Sequence, residues 1–111
     1  MIAFRIYLAA LWVILIGYTA VVIAEHGMAL LPVFFGDMRV IAWPGQFNLD
    51  FLMMLTLSAL WVSWRHQFSA GGLALGLLAL CGGASFLTVY LFLLSLQCKG
   101  DMKKILLGAR L

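Results

Sequence analysis

The stretch AGGLALGLLALCGGASFLTVYLFLLSLQC occupies residues 70–98 and contains no charged side chain. A transmembrane helix needs about 20 consecutive apolar residues to cross roughly 30 Å of hydrocarbon. At 1.5 Å per residue, a helix over this stretch would be about 43 Å long. Because that length exceeds the hydrocarbon thickness, we expect such a helix to tilt or to begin among the headgroups. Residues 70–98 therefore predict a membrane-spanning helix.

The composition of the whole chain is that of an integral membrane protein. Of its 111 residues, 66% are apolar and 10% are charged, with seven Lys or Arg against four Asp or Glu. A soluble domain averages roughly half apolar and a quarter charged residues. This composition excludes a soluble globular domain and a disordered chain. The net charge of +3 is too small for an electrostatic nucleic-acid platform, so we expect no nucleic-acid partner.

Two other apolar stretches, residues 6–24 and 47–64, complete the predicted architecture. Both are predominantly apolar and lack the period-two alternation of a transmembrane β-strand. We predict an all-α integral membrane protein with three transmembrane helices at about residues 6–24, 47–64 and 70–98. Residues 1–111 would form a single membrane domain, since the connectors are too short to form another.

The remaining segments are predicted to lie at the membrane interface. The connector at residues 25–46 contains Asp37 and Arg39, which would each cost several kcal/mol inside hydrocarbon. In the tail at residues 99–111, apolar side chains recur at helical spacing among basic ones, which is typical of a basic amphipathic interfacial helix. We expect anionic lipids to contact the basic residues of this tail, which are Lys99, Lys103, Lys104 and Arg110.

Three straight crossings would place the two termini on opposite sides of the membrane. The C-terminal side would then carry Arg39 and the four basic residues of the tail, against Arg5 and Arg65 on the other side. Cytoplasmic loops carry an excess of Lys and Arg. The count of five against two predicts a cytoplasmic C-terminus.

Small residues form a stripe on two of the predicted helices. Lipid supplies no hydrophobic drive for helix association, so close backbone approach at small residues takes its place. These stripes either pack the three helices against one another or receive a partner subunit. Tyr90 shares the face of the later stripe, so we expect its hydroxyl to bond to a neighbouring helix. The stripes consist of Gly72, Gly76, Ala79 and Gly83 in the third helix and Ala10, Gly17, Ala20 and Ala24 in the first.

A polar cluster is predicted where the first helix ends and the second begins. Asn48 is a plausible N-cap of the second helix, which would put Asp50 in its first turn, near the positive end of the helix dipole. The cluster either consists of ordinary helix ends, with Asp37 paired to Arg39, or binds a headgroup, a proton or an ion. Its members are Glu25, His26, Asp37, Arg39 and Asp50.

No residue pattern indicates catalysis or a resident cofactor. The chain lacks the Cys and His spacings of zinc sites, and it lacks the Gly-rich phosphate loop that ends in Lys and Ser or Thr. His26 and His66 would lie on opposite sides of the membrane, so one haem could not take both as ligands. We predict that the protein is not an enzyme and that any pigment, quinone or lipid is bound together with a partner.

The segment FNLDF at residues 47–51, followed by LSALW at residues 57–61, resembles part of a large bacterial family of small three-span membrane proteins of unknown function. Its members carry Asn or Asp at the start of the middle span and a Ser-rich continuation. The resemblance implies a bacterial cytoplasmic membrane and no assigned activity. It transfers no catalytic residue.

Two functional hypotheses follow from these features. The first is a small accessory subunit that docks through its small-residue helix faces onto a larger respiratory, photosynthetic or transport complex. The second is a homo-oligomeric module that binds or transports a lipid, a quinone or an ion through the polar cluster near Asp50. Under these hypotheses the partners of the protein would be membrane lipids, together with other membrane subunits or further copies of the chain.

Overall fold

The computed structural model describes residues 1–110. By length and composition alone, three of its helices are long and apolar enough to cross a membrane. The prediction of an all-α membrane protein with three helices of spanning length is therefore confirmed. The helices are α1 (Ile2–His26), α2 (Leu30–Arg39), α3 (Trp43–Arg65), α4 (Ala70–Gln97) and α5 (Met102–Leu107), and a 3-10 turn follows at Gly108–Arg110.

Helix α3 begins earlier than predicted, at Trp43 rather than near residue 47. Pro44 lies in its first turn, where a missing backbone N–H leaves no hydrogen bond unmade. The prediction that Asn48 is the N-cap is therefore wrong, and its side-chain amide instead donates to the Phe34 carbonyl of α2 at 3.1 Å. Asp50 consequently lies seven residues into α3, about 10 Å along the helix axis, and not in its first turn.

Helix α4 is sharply bent at Gly83, whose backbone angles are φ 57° and ψ −138°. A Cβ at Gly72 would lie 2.6 Å from the His66 Cβ, and the Tyr90 hydroxyl lies 2.6 Å from the His66 Nε2. In a straight helix, residues 72 and 90 would be about 27 Å apart. The first half of α4 therefore runs away from the C-terminal end of α3, and the second half returns to it.

This bend brings the two termini to the same end of the molecule. The Arg5 guanidinium donates to the Ser95 hydroxyl at 3.0 Å and to the Ser95 carbonyl at 2.8 Å. A Cβ at Gly100 would lie 3.1 Å from the Met1 Cβ. The expectation of a straight third crossing, with termini on opposite sides, is therefore wrong. The physical reason is that glycine populates positive φ readily, so a single residue can reverse the helix.

We call this end the basic end, because most of the cationic residues lie there. The buried core also lies there, since both halves of α4 and the short α5 pack against the C-terminal half of α3. The core residues are Val62, Ala79, Tyr90, Leu94 and Ile105. The cationic residues of the basic end are Arg5, Arg65, Lys99, Lys103, Lys104 and Arg110.

Candidate functional site

The predicted polar cluster lies at the end of the molecule opposite the basic end. The Glu25 carboxylate and the His26 ring are 4.0 Å apart, and both side chains are mostly exposed. No ion pair joins Asp37 to Arg39 in the described residues, so that expected pair is not formed. Asp50 is exposed on α3. A role for this cluster in binding a lipid, a quinone or an ion stays a prediction.

The small-residue stripe of α4 packs against α3 within the chain. A Cβ at Gly76 would lie 3.1 Å from the Ala59 carbonyl oxygen, and a Cβ at Gly83 would lie 3.0 Å from the Phe51 ring. These close approaches leave no space for a partner helix on this face. All four members of the stripe, Gly72, Gly76, Ala79 and Gly83, are buried.

The stripe of α1 faces away from the rest of the chain. Leu8 is buried and Leu15 is half-buried, whereas every residue of α1 after Leu15 is exposed. At 100° per residue, these two leucines lie on the face opposite the stripe. A Cβ at Gly17 would have nothing within 4 Å. The outward stripe consists of Ala10, Gly17, Ala20 and Ala24, all exposed.

A buried arginine organises the basic end. Arg65 is the last residue of α3, and only 4% of it is exposed. Its Nε donates to the Ile105 carbonyl at 2.8 Å, and its Nη2 donates to the Lys104 carbonyl at 3.2 Å. Both carbonyls belong to the last turn of α5, where the helix dipole is negative. Arg65 therefore fastens α5 to α3 through a charge–dipole contact.

The glycine that follows α5 makes this contact sterically feasible. Gly108 has φ +55°, and a Cβ there would lie 2.8 Å from the Arg65 Cζ. Any larger residue would displace the guanidinium from the carbonyls it contacts. Gly108 thus both ends α5 and leaves space for the Arg65 guanidinium.

The Arg65 guanidinium continues into a short hydrogen-bonded chain. Its Nη1 donates to the Tyr90 hydroxyl at 2.9 Å, and that hydroxyl lies 2.6 Å from the His66 Nε2. Since a guanidinium group can only donate, the Tyr90 oxygen accepts a hydrogen bond from Arg65. The Tyr90 hydroxyl in turn donates its own hydrogen bond to the His66 Nε2. This places the His66 proton on Nδ1. The prediction that Tyr90 bonds to a neighbouring helix is confirmed.

The tail docks onto α3 and does not lie free. The Trp61 indole donates to the Leu106 carbonyl at 3.1 Å, and Gln67 donates to the Ala109 carbonyl at 2.8 Å. Arg110 donates to the Trp64 carbonyl at 2.6 Å, with its guanidinium 4.8 Å from the Trp64 ring centre. The other basic residues predicted to contact anionic lipid, Lys99, Lys103 and Lys104, are exposed.

An open cavity of about 500 Å³ lies beside the arginine. Its polar lining is cationic or neutral, because no carboxylate borders it. Sequence reasoning missed this site and counted Arg65 only as a loop charge. The residues that flank an arginine at a helix end are of the same kinds whether its side chain is buried or solvated, so the sequence does not distinguish the two cases. The polar residues that line the cavity are Arg65, His66, Tyr90, Gln97 and Cys98, its apolar side chains are Leu75, Leu93 and Leu94, and Gly108 and Ala109 complete the lining.

The stability of the folded protein is expected to depend on pH through the imidazole of His66. Burial, and then the neighbouring Arg65 charge, lower the pKa of His66 from its ordinary value of 6.5. Below pH 6.5 the unfolded chain takes up this proton more readily than the folded chain, so folded stability falls. We expect the thermal unfolding temperature in detergent to drop as the pH is lowered from 7.5 to 5.5.

The matched variant for this prediction is His66→Gln, whose side-chain oxygen still accepts from Tyr90 but does not titrate. We expect this variant to lose most of the drop between pH 7.5 and 5.5. His26, whose side chain is 74% exposed, is present in both proteins and serves as a common background. Equal drops in the two proteins would contradict the assignment.

The chemistry available at the basic end is one buried cation, one hydroxyl and one neutral imidazole around a cavity. No group of three or more His, Cys, Asp or Glu side chains that could hold a metal ion occurs within the described part of the chain. His26 and His66 lie at opposite ends of the molecule. The resemblance of residues 47–61 to a bacterial family stays a prediction. Comparisons with protein-family models, with curated proteins and with solved structures find no match for this chain.

Proposed function

We propose that this protein is a small, non-catalytic accessory subunit of a larger respiratory, photosynthetic or transport complex in the membrane. The observation that carries the proposal is the outward small-residue stripe of α1. Helix α1 is held to the rest of the chain at its first turns, through Arg5 and Leu8. Its length after Leu15 is exposed, and the small side chains of the stripe lie on the face that points away from the rest of the chain.

The physical argument is that small residues permit close helix contact. Packing and backbone approach, not the hydrophobic effect, drive helix association in lipid. The equivalent stripe of α4 shows this use within the chain, where Gly76 admits the backbone of α3 at Ala59. The stripe of α1 has no such partner among residues 1–110, so a helix of another subunit is the natural occupant.

Blocking the stripe is expected to abolish docking. We expect Gly17→Leu combined with Ala20→Leu to lower recovery of the partner complex by about tenfold, which corresponds to a loss of about 1.4 kcal/mol. The matched control is Thr19→Leu combined with Val22→Leu, which adds bulk to the opposite face of the same helix. The measurement is affinity purification in gentle detergent, read by native gel, mass spectrometry and absorption spectrum.

Two results would contradict the accessory-subunit proposal. One is recovery of the same partners at the same stoichiometry from both double variants. The other is purification of the protein from native membranes as a stable homo-oligomer with no other polypeptide. The second result would direct attention to the alternative of a homo-oligomeric binding or transport module.

We also propose that the membrane is a bacterial cytoplasmic membrane and that the basic end faces the cytoplasm. Six of the seven Lys and Arg residues lie at the basic end, and only Arg39 lies at the other. The positive-inside rule then favours cytoplasmic placement of both termini. The halves of α4, residues 70–82 and 84–97, are each about 20 Å long, which is less than the hydrocarbon thickness. We infer that α4 enters and leaves the membrane on the same face.

Reporter fusions in a bacterial host test this orientation. We expect a fluorescent protein to mature at either the N-terminus or the C-terminus, and alkaline phosphatase to be inactive at both. An insertion of phosphatase after Gly27, in the turn between α1 and α2, serves as the positive control and should be active. Opposite signals from the two termini would contradict the shared face.

A further inference from the structure

We propose that the cavity beside Arg65 binds the phosphate-bearing headgroup of an anionic membrane lipid. This inference is independent of the docking of α1, since it rests on residues at the basic end. It assigns a ligand class to a site in which the protein supplies a buried positive charge and no negative partner.

The first argument is the unbalanced charge of Arg65. Ionised side chains that are buried are normally paired with an opposite charge. Arg65 is 4% exposed, yet its acceptors are two carbonyls and one hydroxyl. An anion in the adjoining cavity would supply the missing countercharge. Because the site is partly removed from water, this attraction is stronger than it would be at an exposed lysine.

The second argument is the hydrogen-bonding capacity that Arg65 retains. A guanidinium carries five N–H donors. Nε and Nη2 each donate once to α5, and Nη1 donates once to Tyr90. The second N–H of Nη1 lies beside the His66 Nε2, with the two nitrogens 3.1 Å apart, and the Tyr90 hydroxyl approaches the same Nε2 at 2.6 Å. One N–H of Nη2 is therefore left for a ligand, and guanidinium is well suited to phosphate.

The third argument identifies the source of the phosphate as a lipid. The cavity has an apolar wall formed by Leu75, Leu93 and Leu94, and Leu93 is 51% exposed on the surface of a membrane helix. This wall suits an acyl chain and offers nothing to a free inorganic anion. The exposed lysines of the tail, Lys103 and Lys104, add a general attraction for anionic headgroups near a membrane surface.

The test compares two phospholipids that have the same acyl chains and both carry a phosphate, but differ in headgroup and in net charge. The purified full-length protein, in a zwitterionic detergent, is titrated with phosphatidylglycerol and with phosphatidylcholine of the same acyl chains. Binding is followed by native mass spectrometry and by thermal unfolding. We expect phosphatidylglycerol to bind at least tenfold more tightly and to raise the unfolding temperature. Equal binding of the two lipids would overturn the proposal, and this comparison requires no variant.

Two variants then locate the site. Leu93→Trp fills the cavity without touching the Arg65 hydrogen bonds, and we expect it to reduce phosphatidylglycerol binding to the phosphatidylcholine level. Lys103→Gln combined with Lys104→Gln removes the surface charges. We expect this variant to weaken phosphatidylglycerol binding by at most about threefold, because a neutral detergent micelle has no charged membrane surface for these exposed lysines to act on.

Three further outcomes would overturn the assignment. Retention of full binding by a folded Leu93→Trp variant would place the lipid elsewhere. Loss of binding in the double lysine variant alone would indicate a general surface attraction instead of a cavity. Stabilisation of the protein by inorganic phosphate to the same extent as by phosphatidylglycerol would indicate a site for a free anion.

Discussion

Replacing Arg65 with glutamine is expected to release the C-terminal segment from α3 and to lower the free energy of unfolding by about 3 kcal/mol. The variant removes the hydrogen bonds from the guanidinium to Lys104, Ile105 and Tyr90. Hydrogen bonds from a charged group each contribute roughly 1.5–3 kcal/mol. Burial of the charge itself costs several kcal/mol. Because the variant also relieves that cost, the net loss is smaller than the sum of the three bonds.

Two measurements check the Arg65 prediction. Reversible unfolding in mixed micelles reports the stability, and limited trypsin cleavage after Lys103 and Lys104 reports release of the tail. Cleavage should accelerate by more than tenfold, since Ile105 is completely buried in the folded protein. The control is Arg39→Gln, which removes an exposed arginine at the other end. It should change stability by no more than about 0.5 kcal/mol. Equal effects of the two variants would contradict the structural role of Arg65.

Gly83→Ala is expected to destabilise the bend in α4 by about 1–3 kcal/mol. The backbone at this residue has φ 57° and ψ −138°, a conformation of high energy for any residue with a Cβ. The new methyl group would also lie 3.0 Å from the Phe51 ring. The control is Gly71→Ala in the first turn of the same helix, where a Cβ would have nothing within 4 Å. Alanine there should leave stability unchanged or raise it by up to about 1 kcal/mol.

A distance measurement tests the bend directly. Spin labels are placed on Cys98 and on Ala70→Cys, with Cys81 changed to Ser. A straight helix would separate these positions by about 42 Å, whereas in the folded protein both lie beside the C-terminal end of α3. We expect a short distance in the parent and an added long-distance population in Gly83→Ala. A single distance near 42 Å in the parent would contradict the bend.

The class of the protein and its long helices could be predicted from the sequence alone. The length of an apolar stretch depends only on consecutive residues. Residues 6–24, 47–64 and 70–98 therefore each predict a long apolar helix without knowledge of the fold. The predicted start of the third helix at residue 70 agrees with the structure, in which the Ser69 hydroxyl accepts from the Gly72 N–H at 3.1 Å and caps α4. The start of α3 was less accurate, because Pro44 begins a helix as readily as it precedes one.

The path of α4 and the burial of Arg65 were decided by the tertiary structure. The sequence does not distinguish a glycine within a helix from a glycine at which the helix reverses. The spacing of the small residues that ends at Gly83 is typical of one face of a straight helix. Only contact of both halves of α4 with α3 shows which conformation is adopted. Arg65 is buried because the returning half of α4 brings α5 back over the end of α3. Its acceptors, the Lys104 and Ile105 carbonyls, are about 40 residues away in the sequence. Local patterns carry no information about such a non-local contact.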